Sequence, residues 1–452
     1  MAKTKTLIND MSQGPVLSSL ARFALPIMLS NVLQAVYSMV DMMVVGQFVG
    51  AAGLSAVGIG GQLQFLFLAV GMGFATGGQI VISQQVGAKS KHISKTIGTL
   101  LTTELILAIL VGIFGIAFHK PLLHLMNTPA EAMADAVGYM VICSLGMIFI
   151  FGYNALCSIL RGMGESKLPM IFIAIASIVN VVLDLLFVAG FHWSAAGAAA
   201  ATVLAQAVAF GFALVYLILH KDAVGFDFKL RSFKPDKAQL IALCKLGVPQ
   251  VLQQFLITGS ITFINAQINA YGLAASAVDS VGGKLNTVAN IVSGSFCAAT
   301  ATMVAHSFGA RKMERVQKAH WACMAICMIW WFILSLCYLF LPKQIFGLFT
   351  SDPEVLAMAP KYLRYAVVWL MAMCSMCGPY SVVEGLGYAS FNLIVGLIDG
   401  VLARIGLSIL LGSFMGLPGY WLGSGLAGFV TTIVMGVYFL SGRWKNRELV
   451  TH

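Results

Sequence analysis

The sequence predicts an all-α polytopic membrane protein: twelve transmembrane helices in two six-helix bundles related by a pseudo-twofold axis along the membrane normal. Three observations carry this prediction. The 452-residue chain is 59% hydrophobic and 10% charged, with a mean hydropathy of +0.89; a soluble domain carries about 25% charged residues. Twelve apolar runs lie near or above the ~20 residues that cross a bilayer. They fall at about 20–47, 54–86, 96–118, 133–160, 168–190, 194–219, 240–269, 274–308, 318–342, 355–386, 390–414 and 418–441. Landmarks in the first half also recur at one offset in the second. Pro26 returns as Pro249, 223 residues on; Gly87-Ala88 as Gly309-Ala310, 222 on; Gly162-x-Gly164 as Gly385-x-Gly387, 223 on. Six spans is an even number, so the second half re-enters the membrane in the same orientation and the repeat is parallel.

Taken in order, span 1 includes FALPIMLSNVLQAVYSMVDMMVVG at 23–46, whose one charge is Asp41. It is too long for a signal-peptide core and no small-residue cleavage site follows, so it is expected to stay in the chain. Pro26 removes a backbone donor within this span and predicts a kink, as a static bend or a hinge. Span 2 ends in QQVGAK (84–89). Span 3 carries Glu104 after Thr102 and Thr103, read as an interior glutamate held by hydrogen bonds or, alternatively, as a residue with a role in transport. Span 4 ends at RGMGES (161–166). Span 5 holds Asn180 and Asp184, whose spacing of four places them one turn apart on one face. Span 6 opens with GAAAAT (197–202), small residues that permit close helix packing and end in Thr202. The longest hydrophilic stretch, 220–238, separates an N-terminal lobe (1–219) from a C-terminal lobe (239–452).

In the second half, span 7 offers Gln253 and Gln254. Span 8 carries Asp279 and Lys284, and span 11 carries Asp399 and Arg404. Both charge pairs are spaced by five, which on an α-helix points them to different faces. Their partners are therefore expected on other helices, as structural ion pairs or as polar lining of the C-terminal half of a cavity. Nearly all nine cysteines lie in apolar runs. The Cys374-x-x-Cys377 pair is in span 10 without a second pair or a ligand histidine, so core packing is expected and no metal site.

Lysine and arginine orient the chain. With the N-terminus in the cytoplasm, inside segments hold 21 of the 27 basic residues, beginning with Lys3 and Lys5; outside segments hold four, and Lys284 and Arg404 lie within spans. This bias places both termini inside. The net charge of +10 sits in loops and is no nucleic-acid footprint.

A carboxylate at the bilayer centre costs roughly 2.5–3.5 kcal/mol on insertion scales. Asp41 lies about six residues before the outer end of span 1, and Asp184 about six before the outer end of span 5, each roughly 9 Å deep at 1.5 Å per residue. Thr202, about eight residues into span 6, reaches a similar depth. Asp41, Asn180, Asp184 and Thr202 therefore form a candidate site of oxygen ligands, suited to Na⁺ or to a proton held between two carboxylates. The second half lacks it: the positions equivalent to Asp41, Asn180 and Asp184 are Ile264, Ala403 and Leu407. Arg161 and Glu384, 223 residues apart and opposite in charge, are candidates for a pair that closes the inner face.

The two six-helix halves, the Pro26 segment, QQVGAK, RGMGES and the Asn-x-x-x-Asp of span 5 together resemble the prokaryotic multidrug and toxic compound extrusion (MATE) transporters, over the whole chain. The resemblance implies a cation site at Asp41, Asn180, Asp184 and Thr202, and export of cationic, amphipathic compounds in exchange for Na⁺ or H⁺. It implies no cofactor beyond the coupling ion. The expected partners are a small-molecule substrate and the lipid bilayer of the cell membrane, with the chain acting as a monomer and without nucleic acid. The C-terminal half departs from members that keep acidic residues in spans 7 and 10. The alternative is a flippase for lipid-linked saccharides of the related two-bundle superfamily; acidic rather than basic charges in the N-terminal half favour cationic cargo. An enzyme is not expected, for H-E-x-x-H and G-x-S-x-G are missing and His306 and His320 have no partner at metal spacing.

Overall fold

The structure, a computed structural model, describes residues 8–451. Lys3 and Lys5 lie outside the described residues. Every regular element among the described residues is helical. The spans run over Val16–Phe48, Ala51–Gly87, Ile93–Leu125, the pair Ala130–Leu145 and Met147–Gly162, Lys167–Gly190, Ser194–Leu219, Lys237–Asn269, Leu273–Gly309, Met313–Phe340, Pro353–Gly385, Ala389–Met415 and Leu417–Leu440. Eleven are long and apolar enough to cross a bilayer as single helices, and the bent pair makes twelve. The chain is thus a multi-pass membrane protein.

Span 4, read from the sequence as one run over about 133–160, is two helices. It bends by 48° between Leu145 and Met147. At the bend, a Cβ on Gly146 would collide with the side chain of Val203 in span 6. The residue without a side chain is what admits the neighbouring helix there. Spans 5 and 11 each contain a π turn, at Leu185–Gly190 and Ile398–Ala403.

Packing divides the described chain into two compact units. One comprises residues 8–10, Leu25–Val251 and Thr451; the other comprises Met11–Ala24 and Leu252–Val450. In the first unit span 2 is the central helix, with 67% of its most apolar window buried against 22–39% for spans 1, 3, 5 and 6. In the second unit spans 8 and 10 take that place, at 61% and 67%.

Spans 1 and 7 each begin in one unit and finish in the other, and the passage lies two residues from Pro26 and from Pro249. The start of span 7 covers the glycine face of span 2. A Cβ on Gly77 would stand 3.0 Å from Leu246 Cβ, one on Gly73 2.6 Å from Val251 Cγ2, and Gly247 lies against the ring of Phe74. Asp236 caps this helix, accepting from the N–H of Ala238 at 3.0 Å and of Gln239 at 3.2 Å, and pairs with Lys95 at 3.2 Å. The linker before it is docked rather than loose, with Phe226 fully buried and Thr102 Oγ1 donating to the Phe233 carbonyl at 2.6 Å. Ahead of span 1, the segment that joins the second unit is held likewise. Met11 N–H donates to His306 Nδ1 at 3.2 Å, Lys312 Nζ to the Ser12 carbonyl at 2.9 Å, and Arg315 Nε to the Met11 carbonyl at 2.8 Å.

Candidate functional site

The first unit gathers the polar residues of spans 1, 5 and 6. Asn180, 2% exposed, donates from Nδ2 to Thr202 Oγ1 at 3.4 Å. With Tyr37, Ala176, Ala205 and Gln206 these two line a cavity of about 10 Å³, room for roughly one water-sized sphere. Asp184 follows Asn180 by one turn at the junction with the π turn and is wholly buried. Asp41 follows Tyr37 by one turn on span 1, and the Tyr37 phenol lies within the electrostatic reach of both carboxylates.

The chemistry of this cluster is one-sided. Asp41 Oδ1, Asn180 Oδ1, both oxygens of Asp184 and Gln206 Oε1 are buried without a hydrogen-bond donor among the described residues. No lysine or arginine forms an ion pair with either aspartate among the described residues. A buried acceptor left without a donor costs about 1–3 kcal/mol, and more when charged. Buried oxygens left without donors are a setting for a hard cation or for protons. Tyr37 and Gln206 were not foreseen from sequence, although each stands four residues from a predicted site residue, Asp41 and Thr202.

Glu104 does not have the hydrogen bonds expected of it. It is fully buried, and both of its oxygens are without a partner among the described residues. Cys374 and Cys377 are buried, and Cys377 Sγ donates to the Met373 carbonyl at 3.3 Å. Among the described residues no group of three His, Cys, Asp or Glu could hold a metal.

The second unit has its own cavity, of about 440 Å³. Asp279 of span 8 and Arg404 of span 11 line it. With its amide nitrogen turned to the carboxylate, Asn265 of span 7 donates to Asp279 Oδ2 at 3.2 Å. Lys284 is exposed, with its ammonium 5.9 Å from the ring centre of Phe349, and does not line the cavity. Asp399 and Arg404 pair with each other at 3.3 Å, contrary to the expectation from their spacing. The reason is local: the π turn Ile398–Ala403 bonds i to i+5, which brings residues five apart onto one face. Thr431 Oγ1 donates to the other oxygen of Asp399 at 2.8 Å.

Arg161 and Glu384 occupy matching places in the repeat. Each lies in the last turn of its helix, and its carbonyl accepts from a glycine three residues on, Gly164 at 2.9 Å and Gly387 at 2.8 Å. Those glycines have φ of +83° and +72°, a conformation that side chains disfavour. Arg161 Nε is buried without an acceptor among the described residues. Pro26 lies inside an unbroken helix, where Ser30 Oγ donates to the Pro26 carbonyl at 2.8 Å.

Comparison with known proteins agrees with this architecture. The MatE family model matches residues 26–186 and again 249–410, starting at the two prolines. The probable multidrug resistance protein YpnP of Bacillus subtilis is 30% identical over 98% of this chain and 99% of its own length. The multidrug export protein MepA of Staphylococcus aureus is 24% identical over 79% of each chain. The solved structure of a multidrug resistance MATE family transporter of the MOP superfamily, in an outward-facing conformation, superposes with a TM-score of 0.91 over 99% of this chain and all of its own, at 23% identity. With a family model that covers both halves and a relative aligned from end to end, the chain belongs to the MatE family of multidrug and toxic compound extrusion transporters.

Proposed function

We propose that the protein is a secondary active antiporter that exports cationic or amphipathic small molecules in exchange for Na⁺ or H⁺ by alternating access. The observation that carries this reading is the set of buried oxygens on Asp41, Asn180 and Asp184 that lack a donor among the described residues and that a cation or a proton would satisfy. Asn180 and Thr202 supply neutral oxygens to the same ion. Because Asp41 is on span 1, ion loading acts on the helix that passes between the two units beside Pro26. Pro26 serves as the hinge, and Arg161 with Glu384 forms the inner gate. One positive charge moving inward through ~100 mV contributes about 2.3 kcal/mol to the exchange. The protein works as a monomer in the cell membrane with both termini in the cytoplasm, a reading supported by the 21-to-4 bias of basic residues.

The test is efflux of a cationic dye from proteoliposomes under an imposed Na⁺ gradient and, separately, an imposed pH gradient. One gradient should drive export and Asp41→Asn should abolish it. Export that ignores both gradients, or that survives Asp41→Asn at full rate, would remove the antiport mechanism.

A further inference from the structure

The two units offer cavities of different size and wall chemistry. The first encloses about 10 Å³ beside Tyr37, Asn180, Thr202 and Gln206. The second encloses about 440 Å³, within the ~300–1,000 Å³ typical of small-molecule sites and far too large to coordinate a bare ion. Its charges do not cancel. Asp399 neutralises Arg404 at 3.3 Å, which leaves the Asp279 carboxylate as the uncompensated charge of the wall. Four aromatic residues line the same cavity: Tyr362, Trp369, Tyr420 and Trp421. Ring faces attract cations, most strongly where water is scarce.

From this geometry we infer that the C-terminal unit carries an organic-cation site, in which Asp279 and the aromatic wall hold a substituted ammonium or similarly delocalised positive group. Asn265 donates to the Asp279 carboxylate and keeps one of its oxygens in place, so Asn265 is a positioning residue. Asp399 holds Arg404, which lines the same cavity. A quaternary or aromatic cation suits the site better than a metal ion because four aromatic residues share the wall with Asp279, and contact with a ring face tolerates ligands of varied shape. The site deepens the transport reading by giving the cargo a place apart from the coupling ion, and its binding can be measured without any gradient.

The experiment is equilibrium binding of ethidium to the purified full-length protein in detergent, followed by fluorescence anisotropy. Asp279→Asn should weaken binding at least tenfold, whereas Asp279→Glu, which keeps the charge, should stay within about threefold of wild type. Carboxyl modification of the wild-type protein by a soluble carbodiimide, read by peptide mass spectrometry, decides the matter even if Asp279→Asn does not fold: saturating ethidium should slow modification of Asp279 several-fold. Unchanged affinity in a folded Asp279→Asn protein, or modification of Asp279 at the same rate with and without ethidium, overturns the assignment. Ethidium binding that requires Asp279, in a protein that exports under neither gradient, would sink the antiport reading and leave this site standing.

Discussion

Replacing Asp184 by asparagine should make the protein more stable while it loses coupled transport. Asp184 is wholly buried and neither of its oxygens meets a donor among the described residues. Each such acceptor costs about 1–3 kcal/mol, more when ionised. Asparagine keeps the shape, removes the charge and turns one acceptor into an NH₂ group. Asn180 Oδ1, one turn earlier and itself without a donor, offers that group an acceptor of the kind it needs. The expected gain is about 1–3 kcal/mol, against a scale on which 1 kcal/mol moves Tm by roughly 2–4 °C in chains of 150–250 residues and less in longer ones. Thermal unfolding in detergent, followed by tryptophan fluorescence in Na⁺ and in K⁺ buffers, reads the change directly. If Na⁺ is the coupling ion, wild type at a hundred times its Kd gains about 2.7 kcal/mol from binding, and the variant should show no Na⁺-dependent rise. Efflux under either gradient should fall to the level seen without one. A variant that melts several degrees below wild type, or that exports at the wild-type rate, refutes the view that this carboxylate is kept for the ion at the expense of stability.

Arg404→Leu should destabilise the second unit by about 3–5 kcal/mol, because Asp399 is left buried and uncompensated; Asp399→Leu combined with Arg404→Leu should recover most of that loss in the same melting assay. At the start of span 7, the Gln239 N–H, with help from Lys95 and the Ala238 N–H, holds the Asp236 carboxyl below the usual carboxylate range. A depressed folded value stabilises the dock above the unfolded pKa of about 3.9 and is lost as pH falls through the lower folded value. Hydrogen exchange at 236–240 should therefore quicken below about pH 4 in wild type, and Asp236→Asn should exchange at the fast rate at neutral pH as well. For the proposed inner gate, Arg161→Glu and Glu384→Arg should each impair efflux and the double exchange should restore it; a double variant no better than the singles would discard the pairing.

How far the sequence could be read depended on which physical signal each feature leaves. The spans were legible because a bilayer demands ~20 apolar residues, and the demand is written in composition. The bend in span 4 was not, since apolar character runs straight through Gly146 and the cause is Val203 on another helix. Asn180, Asp184 and Thr202 could be placed together from α-helical spacing and depth. Tyr37 and Gln206 obey the same spacing, but uncharged polar residues at helix faces seldom draw notice. The pairing of Asp399 with Arg404 was hidden because the π turn changes the helical period itself. The fixed repeat offset set Asp41 against Ile264 and thereby passed over Asn265, the neighbouring residue that does face a carboxylate in its own cavity.

The exchange of helix starts has a consequence for how the chain is made and how it can be cut. The first unit is not complete when its sixth span leaves the ribosome at Leu219, because its core still lacks Leu243 and the contacts that Leu246, Gly247 and Val251 make with span 2. Until residue 251 is synthesised, the glycine face of span 2 lacks that cover. A fragment ending in the linker would therefore be a half-built body with an open seam, not an autonomous half-transporter. Two fragments divided there could assemble only by trading helices, in the manner of a domain swap. The same trade ties the two bodies with two continuous helical rods, so that neither can be replaced, duplicated or lost by itself without unseating the other.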